Sequence, residues 1–186
     1  MWVALLVTAA AAFSLGFACA MPFAALCAVA ACTLPRRDAY YLAGAVWGAN
    51  QVIGFAVLHY PWAVHCLAWG AALALAVLLC TAAARWARGR LTRLRPLTAC
   101  AVAFPAAFVV FEGVLLAISL PLGGVEDFAP SVVAWVFAVN AVALVGLFAL
   151  NGAAALLGIA NPSLPRYRRT RKSASSAAAS MARMSP

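Results

Sequence analysis

The charged residues of this chain are gathered into short clusters, and the long stretches between the clusters are almost free of charge. The first such stretch, residues 2–34, contains no charged side chain at all. Because 67% of the 186 residues are hydrophobic and only 9% are charged, too few polar side chains exist to cover a water-soluble globule. The pattern therefore predicts an all-α membrane protein whose apolar stretches are transmembrane helices solvated by the lipid bilayer.

The apolar stretches predict six spans in one transmembrane domain, residues 1–160. A continuous helix over residues 2–34 would reach about 50 Å, well beyond a hydrocarbon core of about 30 Å. Proline ends or kinks a helix, so Pro22 is expected to divide this stretch, with a single tilted and kinked helix as the alternative. The six spans are then predicted at 2–18, 21–34, 39–58, 62–84, 97–120 and 130–160.

Three arginine clusters predict the orientation of the bundle: Arg36-Arg37, the loop 85–95 and the tail segment 166–172. Even numbers of spans separate them, so they fall on one side of the membrane, which the positive-inside rule identifies as the cytoplasm. With six spans, both termini are also cytoplasmic. We therefore assign the net charge of +9 to membrane topology and expect no nucleic-acid partner. The basic tail 161–186, rich in Ser and Ala, is expected to be disordered.

A cleaved signal peptide is the alternative interpretation of the N-terminal stretch. The triplet Ala18-Cys19-Ala20 has the small residues of a cleavage site. No Lys or Arg precedes the apolar run, however, so the positive region that starts a signal peptide is missing. The segment is expected to be retained as a span.

Polar residues within the predicted spans indicate a binding pocket open to the non-cytoplasmic side. The outer turn, His59 to Trp62, is too short to cross the membrane, so the spans 39–58 and 62–84 are predicted to be antiparallel. Asn50 and Gln51 fall about 10 to 12 Å below this turn, and Glu112 and Asn140 fall at similar depths. Polar groups are costly in lipid, so their convergence on one layer favours a functional explanation. The predicted ligand-binding residues are Asn50, Gln51, His59, Trp62, His65, Glu112 and Asn140.

Each of these residues also has a structural explanation. Asn and Gln in membrane helices often form hydrogen bonds that join neighbouring helices, which applies most directly to Asn140. Aromatic residues such as Trp62 anchor helix ends at the membrane surface. Glu112 is harder to explain in this way, because a carboxyl group at that depth must be protonated, paired or hydrated, and the spans contain no Lys or Arg.

Metal binding and catalysis receive less support from the sequence. Cys66 and His59 are candidate soft ligands for a transition metal, with a hydrogen-bonded or interfacial histidine as the alternative, and no standard metal signature is present. No cofactor can be named. The chain has no catalytic constellation and no glycine-rich phosphate loop, so we expect that it is not an enzyme and does not bind ATP itself.

A strip of small residues runs along the first predicted span, at Ala12, Gly16 and Ala20, and would allow a partner helix to approach closely. Together with six short spans, an outward-facing polar pocket and no nucleotide site, this strip resembles the substrate-binding S component of energy-coupling-factor vitamin transporters. The resemblance implies that the strip contacts a transmembrane coupling subunit served by separate ATPases. In solitary cobalamin-type members it also implies a soft outer ligand to cobalt, a role for Cys66 or His59.

The sequence thus predicts a transporter component of the bacterial inner membrane that captures a small solute, vitamin or metal complex from the non-cytoplasmic side. The alternative is a non-transporting membrane protein that assembles or stabilises a larger complex through its small-residue helices.

Overall fold

The computed structural model describes residues 21–156, in which every regular element is helical. The five α-helices are α1 (Phe23–Thr33), α2 (Arg36–Val52), α3 (Val64–Arg90), α4 (Pro96–Leu122) and α5 (Pro130–Leu156). Outside the described residues lie the first predicted span, the strip Ala12, Gly16 and Ala20, the end of the last span and the tail 161–186.

Proline marks the start of most of these helices. Pro22 and Pro35 occupy the positions just before α1 and α2, and Pro96 and Pro130 are the first residues of α4 and α5. Proline suits these positions because the first helical N–H groups have no partner within the helix and the fixed φ angle of proline fits the first turn. The division predicted at Pro22 is therefore a helix start in the structure.

Three helices are long and apolar enough to cross a membrane: Val64–Arg90, Leu97–Leu122 and Pro130–Ala153. They match the predicted spans at 62–84, 97–120 and 130–160, and they confirm the predicted class of helical membrane protein. The other two described helices are shorter. α1 has 11 residues, or about 16 Å, and α2 has 17 residues that begin with two arginines and an aspartate. The count of six spans and the location of the termini remain predictions.

The short helix α1 lies at the centre of the bundle. It contacts α2, α3, α4 and α5, and all of its residues from Phe23 to Cys32 are buried. Ala24, Ala25 and Ala28 are fully buried. Their small side chains allow the neighbouring helices to pack close to α1. The core of the described structure is thus built around α1.

The most extensive helix contact is the antiparallel pair α3 and α4. On α4, Ala99, Ala103 and Ala107 recur every fourth residue and are all completely buried. The neighbouring strip of α4 carries Phe104 and Phe108, whose rings contact Phe137 of α5 at centroid distances of 5.3 and 5.0 Å. Because the phenylalanines point towards α5, we assign the alanine face to the contact with α3.

The described arginines lie at one end of the bundle. Arg36 and Arg37 begin α2. The segment predicted as the loop 85–95 forms the last residues of α3 and the connection 91–95 to α4, and it lies at the same end, where Nη1 of Arg85 is 3.5 Å from the carbonyl oxygen of Leu34. The turn between α2 and α3 and the loop between α4 and α5 lie at the opposite end. The loop between α4 and α5 lies beside the second turn of α3, since a Cβ on Gly124 would lie 3.6 Å from the ring of Trp69. The structure therefore places the first two arginine clusters together, as the sequence predicted.

Candidate functional site

The hairpin of α2 and α3 carries the candidate site. After Val52, α2 continues as a π-helical turn, Ile53–Val57, in which the Leu58 N–H donates to the carbonyl of Ile53 at 2.9 Å. His59 then adopts a left-handed conformation with a φ angle of 55°, and the chain runs without regular structure to the start of α3 at Val64. Single π-helical turns within α-helices are frequent at functional sites, because they widen the helix and redirect its side chains.

Aromatic side chains hold this turn in place. The ring of Phe55 stacks on Trp62 with 4.5 Å between centroids, and Tyr60 lies edge-on to Phe55 at 6.4 Å. Gly54 is buried beneath Tyr60, and a Cβ at this position would lie 2.9 Å from the tyrosine ring. Any side chain at position 54 would force the Tyr60 ring to move. The close approach of this ring therefore favours glycine at this position.

A groove of about 300 Å³ runs beside the turn, and we call it the hairpin groove. Its walls are mostly apolar, and its polar member is the amide of Gln51. The lining residues are Gln51, Val52, Phe55, Ala56 and Trp62. The structure therefore brings together two of the predicted ligand-binding residues, Gln51 and Trp62.

Gln51 also lies where α2 packs closely against Gly70 of α3. Its Oε1 atom lies 2.7 Å from the place that a Cβ on Gly70 would occupy, and the indole N–H of Trp47 donates to the Gly70 carbonyl at 2.9 Å. The contact of Gln51 and Trp47 with Gly70 was not predicted from the sequence. It could have been found by pairing residues at equal distances from the turn, because Gln51 and Gly70 then fall opposite one another and Trp47 lies one helical turn from Gln51 on α2.

The other predicted residues of the hairpin lie outside the groove lining. Asn50 is half-buried, His59 and His65 are exposed, and Cys66 is half-buried. Among the described residues, no group of three or more His, Cys, Asp or Glu side chains is placed to hold a metal ion. Metal binding by Cys66 and His59 remains a prediction.

Asn140 joins α5 to the start of α1 through buried hydrogen bonds. It is 1% exposed; its Nδ2 donates to the Val136 carbonyl at 3.0 Å, and its Oδ1 accepts from the backbone N–H of Ala25 at 3.2 Å. Ala25 is the third residue of α1, so its N–H has no acceptor within that helix. Asn140 on α5 thus caps the central helix, which is the helix-joining role given above as its structural explanation.

Glu112 lies half-buried near the middle of α4, ten residues before its last residue, Leu122. Within the described part of the chain it has no ion pair, and it does not line the hairpin groove. The predicted convergence of Glu112 and Asn140 with Gln51 is therefore not seen as one cavity. A binding role for Glu112 remains a prediction.

Buried thiols and a threonine join α1 to its neighbours. The Thr81 hydroxyl donates to the Val77 carbonyl at 2.8 Å and lies 3.3 Å from the sulfur of Cys27, while the Cys100 thiol donates to the Ala28 carbonyl at 3.2 Å. The described cysteines are all free thiols, and all but Cys66 are buried. The buried ones pack as small side chains.

Comparison with known proteins gives no relative: no family model, curated protein or solved structure matches the chain. The class of the protein therefore rests on its own features. A described core without strands and three helices of membrane-crossing length and hydropathy indicate a membrane protein.

Proposed function

We propose that the protein is a transporter component that captures a small solute in the hairpin groove on the non-cytoplasmic side of the membrane. The observation that carries this proposal is the position of the groove, at the end of the bundle opposite the arginines. Under the positive-inside rule the arginine end faces the cytoplasm, so the groove opens outwards. An arginine end that faces the cytoplasm is consistent with a location in the bacterial inner membrane.

The lining of the groove suits a planar solute with little charge. The stacked rings of Phe55 and Trp62 provide an aromatic face, and the Gln51 amide provides one hydrogen-bond acceptor and two donors. A volume of about 300 Å³ lies at the lower end of the range for small-molecule sites. A single heterocycle, such as part of a water-soluble vitamin, fits this space better than a corrinoid does.

Transport would need a second protein. The sequence has no phosphate-binding loop, so energy from ATP has to enter through a separate coupling subunit with its own ATPases, as the resemblance to S components implies. The solute is released chemically unchanged in this scheme. Capture of such a solute does not require Cys66 or His59 to bind a cobalt ion, a role that the resemblance to cobalamin-type members implies.

Truncating Trp62 tests the proposal. We expect Trp62→Ala to weaken retention of a bound vitamin about tenfold, because one aromatic face of the groove is lost. Native mass spectrometry of purified protein incubated with a panel of water-soluble vitamins measures the retained fraction. Trp86→Ala is the matched control, since Trp86 is 64% exposed at the arginine end. Equal retention in wild type and Trp62→Ala would contradict the proposal.

An assembly or scaffold function is the second candidate, and one feature of α2 favours it. Gly44 and Gly48 lie one turn apart, and a Cβ on either would meet no atom within 4 Å. Such a surface allows a helix of another protein to approach closely. This candidate would be preferred if no vitamin is retained and the protein is instead isolated with a membrane partner.

A further inference from the structure

A second groove lies at the arginine end of the bundle. It has a volume of about 610 Å³ and is lined by Arg36, Arg37, Tyr40 and Tyr41, all on the first two turns of α2. We call it the arginine groove. It is separated from the hairpin groove by the length of α2, so its function is independent of the solute site proposed above.

The arginine groove carries net positive charge, because two arginines line it and one acid, Asp38, lies in the same first turn of α2. Neither Arg36 nor Arg37 forms an ion pair with any described residue, and the nearest acid in the sequence is Asp38. Pro35 caps the start of α2 without a side-chain hydrogen bond, so the first N–H groups of the helix add to the positive potential. Two guanidinium groups and the first N–H groups of the helix together outweigh the single negative charge of Asp38, so they favour an anion with several oxygen acceptors.

The neighbouring helix reinforces this charge. Arg85 of α3 contacts the Leu34 carbonyl at the junction of α1 and α2, and the guanidinium of Arg90 lies 4.9 Å from the ring centroid of Trp86. The arginine end therefore holds basic groups on at least two helices.

Exposed aromatic residues place the groove at the membrane surface. Tyr41 is 74% exposed and Trp86 is 64% exposed, both close to the ends of their helices. Tyr and Trp are enriched at the level of the lipid headgroups, where the ring is apolar and the polar atom is hydrated. An arginine groove at this level would lie beside lipid phosphates, which favours a lipid headgroup over a soluble anion as its ligand.

From these observations we propose that the arginine groove binds the headgroup of an anionic phospholipid, with Arg36 and Arg37 on the phosphate. Basic pockets at the cytoplasmic ends of membrane helices are suited to such headgroups, and each arginine adds to the attraction. The bound lipid would fix the start of α2 at the membrane surface.

The test uses the full-length protein in detergent and native mass spectrometry. Dioleoyl phosphatidylglycerol and dioleoyl phosphatidylcholine are added at equal concentrations, and the bound fractions are compared. We expect a clear preference for phosphatidylglycerol in the wild type and a loss of about tenfold or more in the double variant Arg36→Gln and Arg37→Gln.

The control is the double variant Arg93→Gln and Arg95→Gln, which removes the same charge from exposed residues outside the groove. It should keep the wild-type preference to within about twofold, since its arginines do not line the groove. A third variant, Arg36→Lys with Arg37→Lys, keeps the charge and should retain most of the binding, which separates loss of the site from loss of the fold.

Three results would overturn the proposal. The first is equal binding of the two lipids by the wild type, and the second is an equal loss in both glutamine variants, which would indicate only a general effect of charge. The third is full displacement of the lipid by millimolar inorganic phosphate, because the groove would then recognise free phosphate rather than a lipid headgroup.

Discussion

Replacing Ala103 with leucine is expected to lower the free energy of unfolding by about 3 kcal/mol. Ala103 is 0% exposed on the alanine face of α4, between Ala99 and Ala107, which are equally buried. A leucine at this position has no space unless α3 and α4 move apart, and overpacking of this kind is costly because protein interiors are close-packed. Unfolding by SDS in mixed micelles, followed by tryptophan fluorescence, measures the change.

Ala101→Leu is the control for this prediction. Ala101 is exposed on the same helix, two residues away, so the identical substitution adds a side chain outside the packed face. We expect a change below about 0.5 kcal/mol. Similar destabilisation by the two leucines would mean that the alanine face is not the contact between α3 and α4.

Replacing Asn140 with leucine is expected to cost about 2 kcal/mol. The substitution leaves the Ala25 N–H at the start of α1 buried without an acceptor, and it also removes the bond to the Val136 carbonyl. A buried N–H without an acceptor lowers the stability of the folded state where no water can replace the lost partner. The same unfolding titration gives the magnitude.

Asn50→Leu provides the comparison for Asn140. Asn50 is half-buried, and its side chain forms no hydrogen bond with any described residue. Its replacement should change stability by less than about 0.5 kcal/mol. If Asn140→Leu proves as mild as Asn50→Leu, the capping role assigned to Asn140 is incorrect.

The general architecture could be predicted from the sequence because lipid imposes simple rules. Arginine clusters and apolar lengths gave the spans at 62–84, 97–120 and 130–160, which the structure shows as α3, α4 and α5. The antiparallel hairpin also followed from the short polar turn at His59 to Trp62. These features depend on composition along the chain and not on which side chains meet.

The details of the site depend on such contacts and were less predictable. Depth alone placed Asn140 with Gln51, but depth does not fix the direction of a side chain around its helix, and Asn140 faces α1. The π-helical turn after Val52 changes that direction for Phe55 and has no clear signal in the sequence. The central position of α1 was also missed, because its uniform hydrophobicity gives no preferred face.

A solute site that is open to the outside requires that the arginine end faces the cytoplasm and the hairpin groove faces outwards. Labelling of single introduced cysteines with a membrane-impermeant maleimide, in sealed cells that produce the Cys66→Ser protein, tests this directly. Asp127→Cys, in the exposed loop beside the α2–α3 turn, should be labelled from outside, whereas Gly89→Cys, exposed at the arginine end, should react only after the membrane is opened. Labelling of Gly89→Cys in sealed cells, with Asp127→Cys protected, would contradict the proposed orientation and the outward-facing solute site.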